Sequence, residues 1–404
     1  MSCADRGGLA VPPTSPLDFD DVARNHVAIY APEAAVLYER RPEATGGAER
    51  QTTLLAAGLV DSGLRVAHIV LPVDDPRPDL SGSLALVQRR LVTTQRGPIV
   101  RLAQLRRIWS ALAEADAEVY IFRTSLPVVG VAALFCRLRG RHLIFSSSNN
   151  LDFTFDFYPG RRPELEVYKY GVRHADAVVL QTTEQIELAR RAFPQLSRVV
   201  EIPSFAQPAA PAAGPPEAFL WVGRLDEYKQ PLRYIELAGA VPEARFWMIA
   251  RRLDPGRSGG SPGGGSGDPE LEREVDERAA DLPNLEILEP RPHAAAMELV
   301  ERSVAIVNTG VAEGMPNLFL EAWARGIPVL SYEFDPDGRI ARHGLGLVTA
   351  GSPKRFRDGA RRLWRERSDR GDVSRRVRAY VDSTHGLESV TNRWLELIDG
   401  LRRR

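Results

Sequence analysis

Short apolar runs of strand length alternate with longer amphipathic stretches, and this alternation occurs twice along the chain. In the first half the candidate strands are His26–Tyr30, Arg65–Leu71, Glu118–Phe122, His142–Phe145, Ala177–Leu180 and Arg198–Ile202. Helix-like stretches such as Ala48–Ser62 and Ile99–Ala115 lie between them. Continuous Val/Ile/Leu strands spaced by amphipathic helices predict a parallel sheet covered on both faces. Pro203–Pro216, rich in Pro, Ala and Gly, has no hydrophobic period and reads as a linker. The pattern then restarts with Phe219–Val222, Arg245–Ile249, Leu285–Leu288, Ala305–Asn308, Pro328–Ser331 and Leu345–Val348, and Leu387–Leu401 forms a last helix. The expected fold class is α/β, with two facing Rossmann-like domains and a ligand cleft between them. The expected organisation is a flexible tail over 1–24, a first domain over 25–204, a linker over 205–217, a second domain over 218–385 and a final helix over 386–404.

The length of 404 residues is suited to two domains. With 53 basic and 53 acidic residues, the absence of net charge argues against a protein that coats nucleic acid. Cys3 and Cys136 are the only cysteines, so neither a disulfide framework nor a zinc site is indicated, and a reducing compartment is expected. Met1–Asp21 carries acidic residues and prolines where a signal peptide needs an apolar core. The longest apolar run, Leu126–Cys136, is too short to cross a bilayer. A cytoplasmic protein is expected, with the inner face of the membrane as an alternative location. Gly256–Gly267 has the glycine content of a phosphate loop but not its Gly-Lys-Ser/Thr ending, and reads as a flexible insertion.

Three stretches carry chemistry. The first is Asn308–Leu330. Its loop holds Glu313 and Gly314, Pro316 suits a helix start, and Gly326 suits the helix stop. Glu313 thus sits at the C-terminal edge of a strand, where open α/β sheets bind ligands. Glu321 lies one turn into the helix on the side of Asn317, among Leu318, Leu320, Ala322 and Trp323, where a carboxylate needs a partner or a ligand. Backbone N–H groups around Gly314–Asn317 suit a polar or anionic group. Taken singly, either glutamate would usually be a solvated surface residue.

The second stretch is Phe219–Pro231. Gly223 ends a strand and would admit a ligand close to the backbone. Arg224 and Lys229 could converge on a diphosphate, or could simply pair with Asp226 or Glu227. Lys229 stands out because 50 of the 53 basic residues are arginines. The third stretch, Gly46-Gly47-Ala48-Glu49-Arg50, places glycines at a helix N-terminus, either to meet phosphate or sugar oxygens or merely to turn the chain.

At these three stretches the chain resembles the retaining GT-B glycosyltransferases of glycosyltransferase family 4. The matching motifs are GGAER (Gly46–Arg50), VGRLDEYKQP (Val222–Pro231) and the glutamate pair spanning Glu313–Glu321. The resemblance implies a GT-B fold whose first domain faces the acceptor, whose second holds the donor, and whose final helix crosses back onto the first domain. It also implies a nucleotide-diphosphate sugar as donor, with no tightly bound cofactor and no metal. Arg224 and Lys229 would hold the diphosphate and Gly47 would approach it, beside Gly46 and Gly223. Glu313 would bond the sugar hydroxyls with help from the backbone at Gly314, Met315, Asn317 and Leu318. Glu321 would accept from the ribose, and the base would lie at the loop Glu289–Pro292, near Arg291. Arg224, Lys229 and Glu313 are the implied catalytic set.

The chain departs from many relatives at Ser146–Phe153, where Asn149, Asn150 and Asp152 are candidates to face the sugar or acceptor. Asp335-Pro336-Asp337 superficially resembles a metal-binding Asp-x-Asp but falls where a turn or an acceptor-side loop is expected. The acceptor is a saccharide, glycolipid or small molecule, and the expected setting is bacterial glycan or glycolipid biosynthesis. Basic clusters at Arg137, Arg139, Arg141, Arg161 and Arg162 and at Arg402–Arg404 would permit weak association with an anionic membrane, but in so arginine-rich a chain ordinary solvated arginines are the simpler explanation. The alternatives are another GT-B enzyme, such as a nucleotide-sugar epimerase or glycan phosphorylase, and a non-catalytic nucleotide-sugar-binding protein.

Overall fold

The computed structural model describes residues 24–40, 47–77, 82–91, 97–155, 162–252, 268–311 and 313–403. Gly46, Arg161, Arg404, the insertion at Gly256–Gly267 and nearly all of the expected N-terminal tail lie outside the described residues. The chain builds two parallel-sheet α/β domains.

The first sheet contains β1 (Asn25–Tyr30), β2 (Val66–Val70), β3 (Leu84–Gln88), β4 (Ala117–Phe122), β5 (His142–Ser146), β6 (Ala177–Leu180) and β7 (Val199–Glu201). Its order is β3-β2-β1-β4-β5-β6-β7. The helices with it are α1 (Gly47–Asp61), α2 (Pro98–Ala115), α3 (Val128–Arg139), the short α4 (Leu151–Thr154), α5 (Arg162–Arg173) and α6 (Thr183–Ala192). The second sheet contains β8 (Ala218–Arg224), β9 (Phe246–Arg251), β10 (Leu285–Leu288), β11 (Ser303–Asn308), β12 (Val329–Ser331) and β13 (Gly346–Val348), in the order β10-β9-β8-β11-β12-β13. With it come α7 (Pro231–Ala240), α8 (Pro269–Ala280), α9 (His293–Glu301), α10 (Asn317–Ala324), α11 (Arg339–His343), α12 (Pro353–Arg365) and α13 (Gly371–His385). The last helix is α14 (Leu387–Arg402).

Every strand pairing within the two sheets is parallel, for example Val27↔Val66 and Phe219↔Phe246. In each sheet the winding reverses beside the first strand, between β1 and β4 and again between β8 and β11. Such reversals leave a crevice at the C-terminal ends of the two strands. Strand β3 is not among the strands expected from sequence, and periodicity alone does not tell so short an apolar run from a helical piece. It is an edge strand, and of its five residues only Val87 is buried.

The first sheet divides its side chains by the two-residue period of a strand. Ala28 and Tyr30 face a core shared with α2, α3 and α5, while Val27 and Ile29 face the other way. That second face is covered by Leu55, Ala56 and Leu59 of α1 and by Val390, Trp394, Leu397, Ile398 and Leu401 of α14. The C-terminal helix therefore completes the core of the N-terminal sheet. Burying such side chains stabilises by about 1.5–3 kcal/mol each.

The segment between β7 and β8 contains no helix or strand, yet it is fastened along its length. Ile202, Phe205 and Ala206 are buried. The Ala206 N–H donates to the His385 carbonyl, and the Ala212 N–H to that of Arg325. Among the described residues no helix is long and apolar enough to cross a membrane.

Candidate functional site

The reversal between β8 and β11 gathers the charged residues. Arg224 is the last residue of β8, and a short 3-10 turn over Glu227–Lys229 follows. β11 ends at Asn308, and its loop carries Thr309–Val311 back against that turn. The Val311 N–H donates to the Tyr228 carbonyl at 3.0 Å. The Thr309 hydroxyl, fully buried, donates to the Lys229 carbonyl at 2.6 Å and accepts from the Trp221 indole N–H at 3.0 Å. This chain of bonds fixes the Lys229 backbone beside the Glu313 loop.

Lys229 pairs with the Glu313 carboxylate. Burial opposes the Lys229 ammonium, but Glu313 and Tyr228 outweigh it and raise its pKa above the ordinary lysine value. Arg224 pairs with Asp226 at 2.9 Å and donates to the Tyr228 hydroxyl at 2.7 Å. Its pKa is also raised, burial being outweighed by Tyr228 and Asp226. Burial pushes the Asp226 carboxyl up despite Arg224 and Lys229. Both cations thus stay charged at neutral pH in a partly desolvated place. The pairing with Asp226 considered from sequence is present for Arg224, whereas Lys229 turns to Glu313.

Gly223 has a packing role that the sequence did not suggest. A Cβ there would lie 2.8 Å from the Trp221 ring, so the residue makes room for the indole that bonds Thr309. Pro316 is extended and precedes α10 rather than joining its first turn, and its carbonyl accepts the Phe319 N–H. Gly326 terminates that helix at φ +81°, and a Cβ there would lie 2.0 Å from Ser374 Oγ. The first turn of α10 presents N–H groups at Asn317 and Leu318. The Met315 N–H, expected among the donors to a ligand, is instead taken by Gln181 Oε1 of the first domain at 3.0 Å. Gly314 sits against that domain too, where a Cβ would lie 2.8 Å from Gln185 Nε2 and 2.9 Å from the Ser148 carbonyl.

Glu321 forms a second cluster one turn along α10. Its Oε1 lies 2.8 Å from His293 Nε2 and 3.4 Å from Arg50 Nε. Burial lowers the Arg50 pKa, and Glu321 partly offsets this. Arg50 comes from the first domain, so the pair crosses the cleft. So does the bond from Gln51 Nε2 to Asn317 Oδ1, at 2.8 Å. Gly47 lies against the same side chain, and a Cβ there would come within 1.9 Å of Asn317 Nδ2. The GGAER segment therefore meets the N-terminus of α10 directly. Arg291, in the loop after β10, donates to the Glu289 carbonyl at 3.3 Å and belongs to neither cluster.

The Ser146–Phe153 loop is organised around Asp152, which is 2% exposed. Its carboxylate accepts from Ser125, from the Ser147 hydroxyl at 2.7 Å and from the backbone of Ser148 and Asn149. Burial raises its pKa in spite of these bonds. Asn149 caps the following turn through Leu151, and Asn150 is buried. Arg123, just beyond β4 at the reversal of the first sheet, is a residue that the sequence reading missed. It donates to Ser146 at 3.1 Å, its buried Nε has no partner, and burial pushes its pKa down to about 10. Asp335 and Asp337 serve as caps. Asp335 accepts the N–H groups of Ile340 and Ala341, and Asp337 those of Thr183 and Glu184 across the domain boundary. Among the described residues no group of three or more His, Cys, Asp or Glu side chains is placed to hold a metal ion.

The architecture has close counterparts among solved structures. Sucrose-phosphate synthase from Thermosynechococcus elongatus superposes with a TM-score of 0.73 at 15% identity, over 94% of this chain and 100% of that one. The fold is that of the GT-B glycosyltransferases. Anabaena HepE, solved with UDP and glucose, gives a TM-score of 0.67 at 13% identity, over 93% of this chain and 100% of HepE. Residues 46–204 match the family model described as a glycosyl transferase 4-like domain. Glycosyltransferase 1 domain-containing protein 1 of Xenopus tropicalis is 25% identical over 135 residues, covering 33% of this chain and 39% of that protein. In GT-B terms, the Arg224–Lys229–Glu313 group lies in the second domain, and helix α1 meets α10 of that domain from the first.

Replacing Thr309 by Val should strand the buried Trp221 N–H and Lys229 carbonyl. Urea denaturation should then show a loss of about 1–3 kcal/mol, and unchanged stability would mean that this bond chain does not anchor Lys229.

Proposed function

We propose that this protein is a glycosyltransferase that moves a sugar from a nucleoside-diphosphate donor to an acceptor with retention at the anomeric carbon. The observation that carries the reading is the convergence of Arg224, Lys229 and Glu313 at the strand reversal of the second sheet, opposite the glycine-led helix α1. The family model matched by the first domain and the GT-B fold support it. HepE, solved with UDP and glucose, makes UDP-sugars the first donors to test.

In this reading the diphosphate binds Arg224 and Lys229, displacing the carboxylates that hold them. Glu313 turns to the sugar hydroxyls and Glu321 to the ribose. The α10 N-terminus, at Asn317 and Leu318, supplies N–H dipoles. Gly47 approaches the diphosphate from the first domain, and Arg291 stands by the base. The bond from the anomeric carbon to the diphosphate oxygen breaks while the acceptor oxygen attacks the same face. The acceptor proton passes to the departing phosphate oxygen. Charge builds on the diphosphate, and fixed cations and N–H groups stabilise it without a metal. The Asn149–Asp152 loop borders the acceptor side, with Asp152 shaping it from beneath.

A thermal-shift screen of nucleotide sugars identifies the donor, since a ligand of the native state raises the melting temperature. With that donor, Lys229→Ala should lower turnover by on the order of 10²–10³, and Glu321→Ala should weaken donor affinity with the fold intact. Near-normal turnover in the first variant and undiminished affinity in the second would overturn the reading.

The first domain also suits a peripheral contact with an anionic membrane, consistent with a glycolipid acceptor. Of the seven large apolar side chains exposed among the described residues, six lie on α2, α3 and α5. Ile99 is 83% and Leu138 65% exposed, accompanied by Leu102, Leu105, Leu134 and Val167. The helices form one surface, joined by the Trp109–Phe135 ring contact and the Arg101–Glu164 pair. Exposed Arg106, Arg137 and Arg139 flank it. Arg141 and Arg402 are engaged elsewhere, with Asp116 and Glu118. Apolar side chains ringed by arginine fit anionic headgroups over acyl chains. Co-sedimentation with phosphatidylglycerol vesicles should fall when Ile99, Leu102 and Leu138 become Ser. Equal sedimentation of the variant, or none of the parent, would remove this contact.

A further inference from the structure

A cavity of about 510 Å³, lined by none of the donor residues, lies where the chain passes between the domains. Its wall includes Arg339, Arg342, His343, Arg376, Tyr380 and Arg393. Glu201, the last residue of β7, and Pro203 just after it also line the cavity. These residues come from both lobes. Arg393 rides on α14, which packs on the first sheet, whereas Arg342 and Arg376 stand on α11 and α13 of the second domain.

The charge of this wall is unbalanced. Glu201 is the one carboxylate in it, and Arg339 takes it at 2.7 Å while also holding Asp337 at 2.9 Å. Among the described residues no carboxylate pairs with Arg342, Arg376 or Arg393. Arg342 and Arg376 are steadied by backbone oxygens instead. Arg342 donates to the Asp337 carbonyl at 3.1 Å, and Arg376 donates through Nε to that of Gly344 at 3.1 Å. Each guanidinium has five N–H donors in a rigid fork, so several on each remain for a ligand. Three like charges around one hollow repel, and an anion there relieves the repulsion. Ser383 and Thr384 add hydroxyls to the same wall.

We propose that this hinge cavity binds a phosphate-bearing anion. Forked arginines match phosphate oxygens in pairs, and hydroxyls complete the shell. A phosphate monoester or diphosphate of metabolite size fits the volume. The ligand touches Arg393 from one lobe and Arg342 and Arg376 from the other, so its contacts change when the lobes move. Binding here is thereby coupled to the closure of the donor cleft, and a ligand favouring the closed arrangement tightens donor binding by the same factor that the donor tightens its own. The lining includes neither Arg224 nor Lys229, so anion binding here does not depend on the sugar-transfer reading, whereas its coupling to donor binding rests on that reading.

The test uses the full chain and inorganic pyrophosphate, followed by calorimetry. The parent and the Lys229→Ala variant should both bind pyrophosphate at the hinge. The double variant Arg342→Gln/Arg376→Gln should lose that event, with affinity at least tenfold weaker, while keeping its urea midpoint. Phosphatidic acid vesicles, in a parallel arm, separate a lipid headgroup from a soluble anion. No pyrophosphate binding by the parent, binding abolished by Lys229→Ala, or binding unchanged in the double variant would each overturn the proposal. Arginine-dependent binding to vesicles without pyrophosphate binding would overturn the soluble ligand. A single Arg393→Gln change should weaken pyrophosphate binding too, and an unaltered affinity would contradict the contact from both lobes.

Discussion

The apolar seam between α14 and the N-terminal sheet is the constraint on which the rest depends. A parallel sheet must be covered on both faces, and here one face is finished by Val390, Trp394, Leu397, Ile398 and Leu401 from the other end of the chain. The second domain is therefore held between two crossings, the segment after β7 and the step from α13 to α14. His385 links them, its Nδ1 bonded to the Ser204 carbonyl at 2.8 Å and its own carbonyl to the Ala206 N–H at 2.8 Å. With the lobes joined at one side, their strand reversals face each other across the other, and α1 reaches α10.

The charged site follows from that placement. Lys229 and Arg224 sit in a partly buried position that would penalise isolated cations. Glu313, Asp226 and Tyr228 keep them charged. Bonds between domains, Arg50 with Glu321 and Gln51 with Asn317, tie the first domain to α10 of the second.

Much of this was legible in the sequence, for identifiable reasons. Buried parallel strands leave continuous apolar runs, so twelve of the thirteen strands, all but the edge strand β3, stood out as apolar runs. Arg224, Lys229, Glu313 and Glu321 were visible because they follow strand ends or stand on an apolar helix. The partners of Glu321 were not visible. His293 lies 28 positions before Glu321, and Arg50 lies in the other domain, so no local spacing announces either contact. The Met315 N–H was assigned to a ligand because sequence cannot show that Gln181 arrives from across the cleft. Gly223 was read as an opening for a ligand, because the turn of the Trp221 indole over it is a matter of packing. The signal for Arg50 was present, as the last residue of GGAER, but only the fold gives it a direction.

Hydrogen exchange measured with and without the nucleotide sugar that most raises the melting temperature tests the central claim most directly. A donor gripped from both lobes should slow exchange at the N-terminus of α10, over Asn317–Leu320, and together with it at the start of α1, over Ala48–Thr52. Protection confined to one lobe, or lying outside both helices, would contradict a shared cleft.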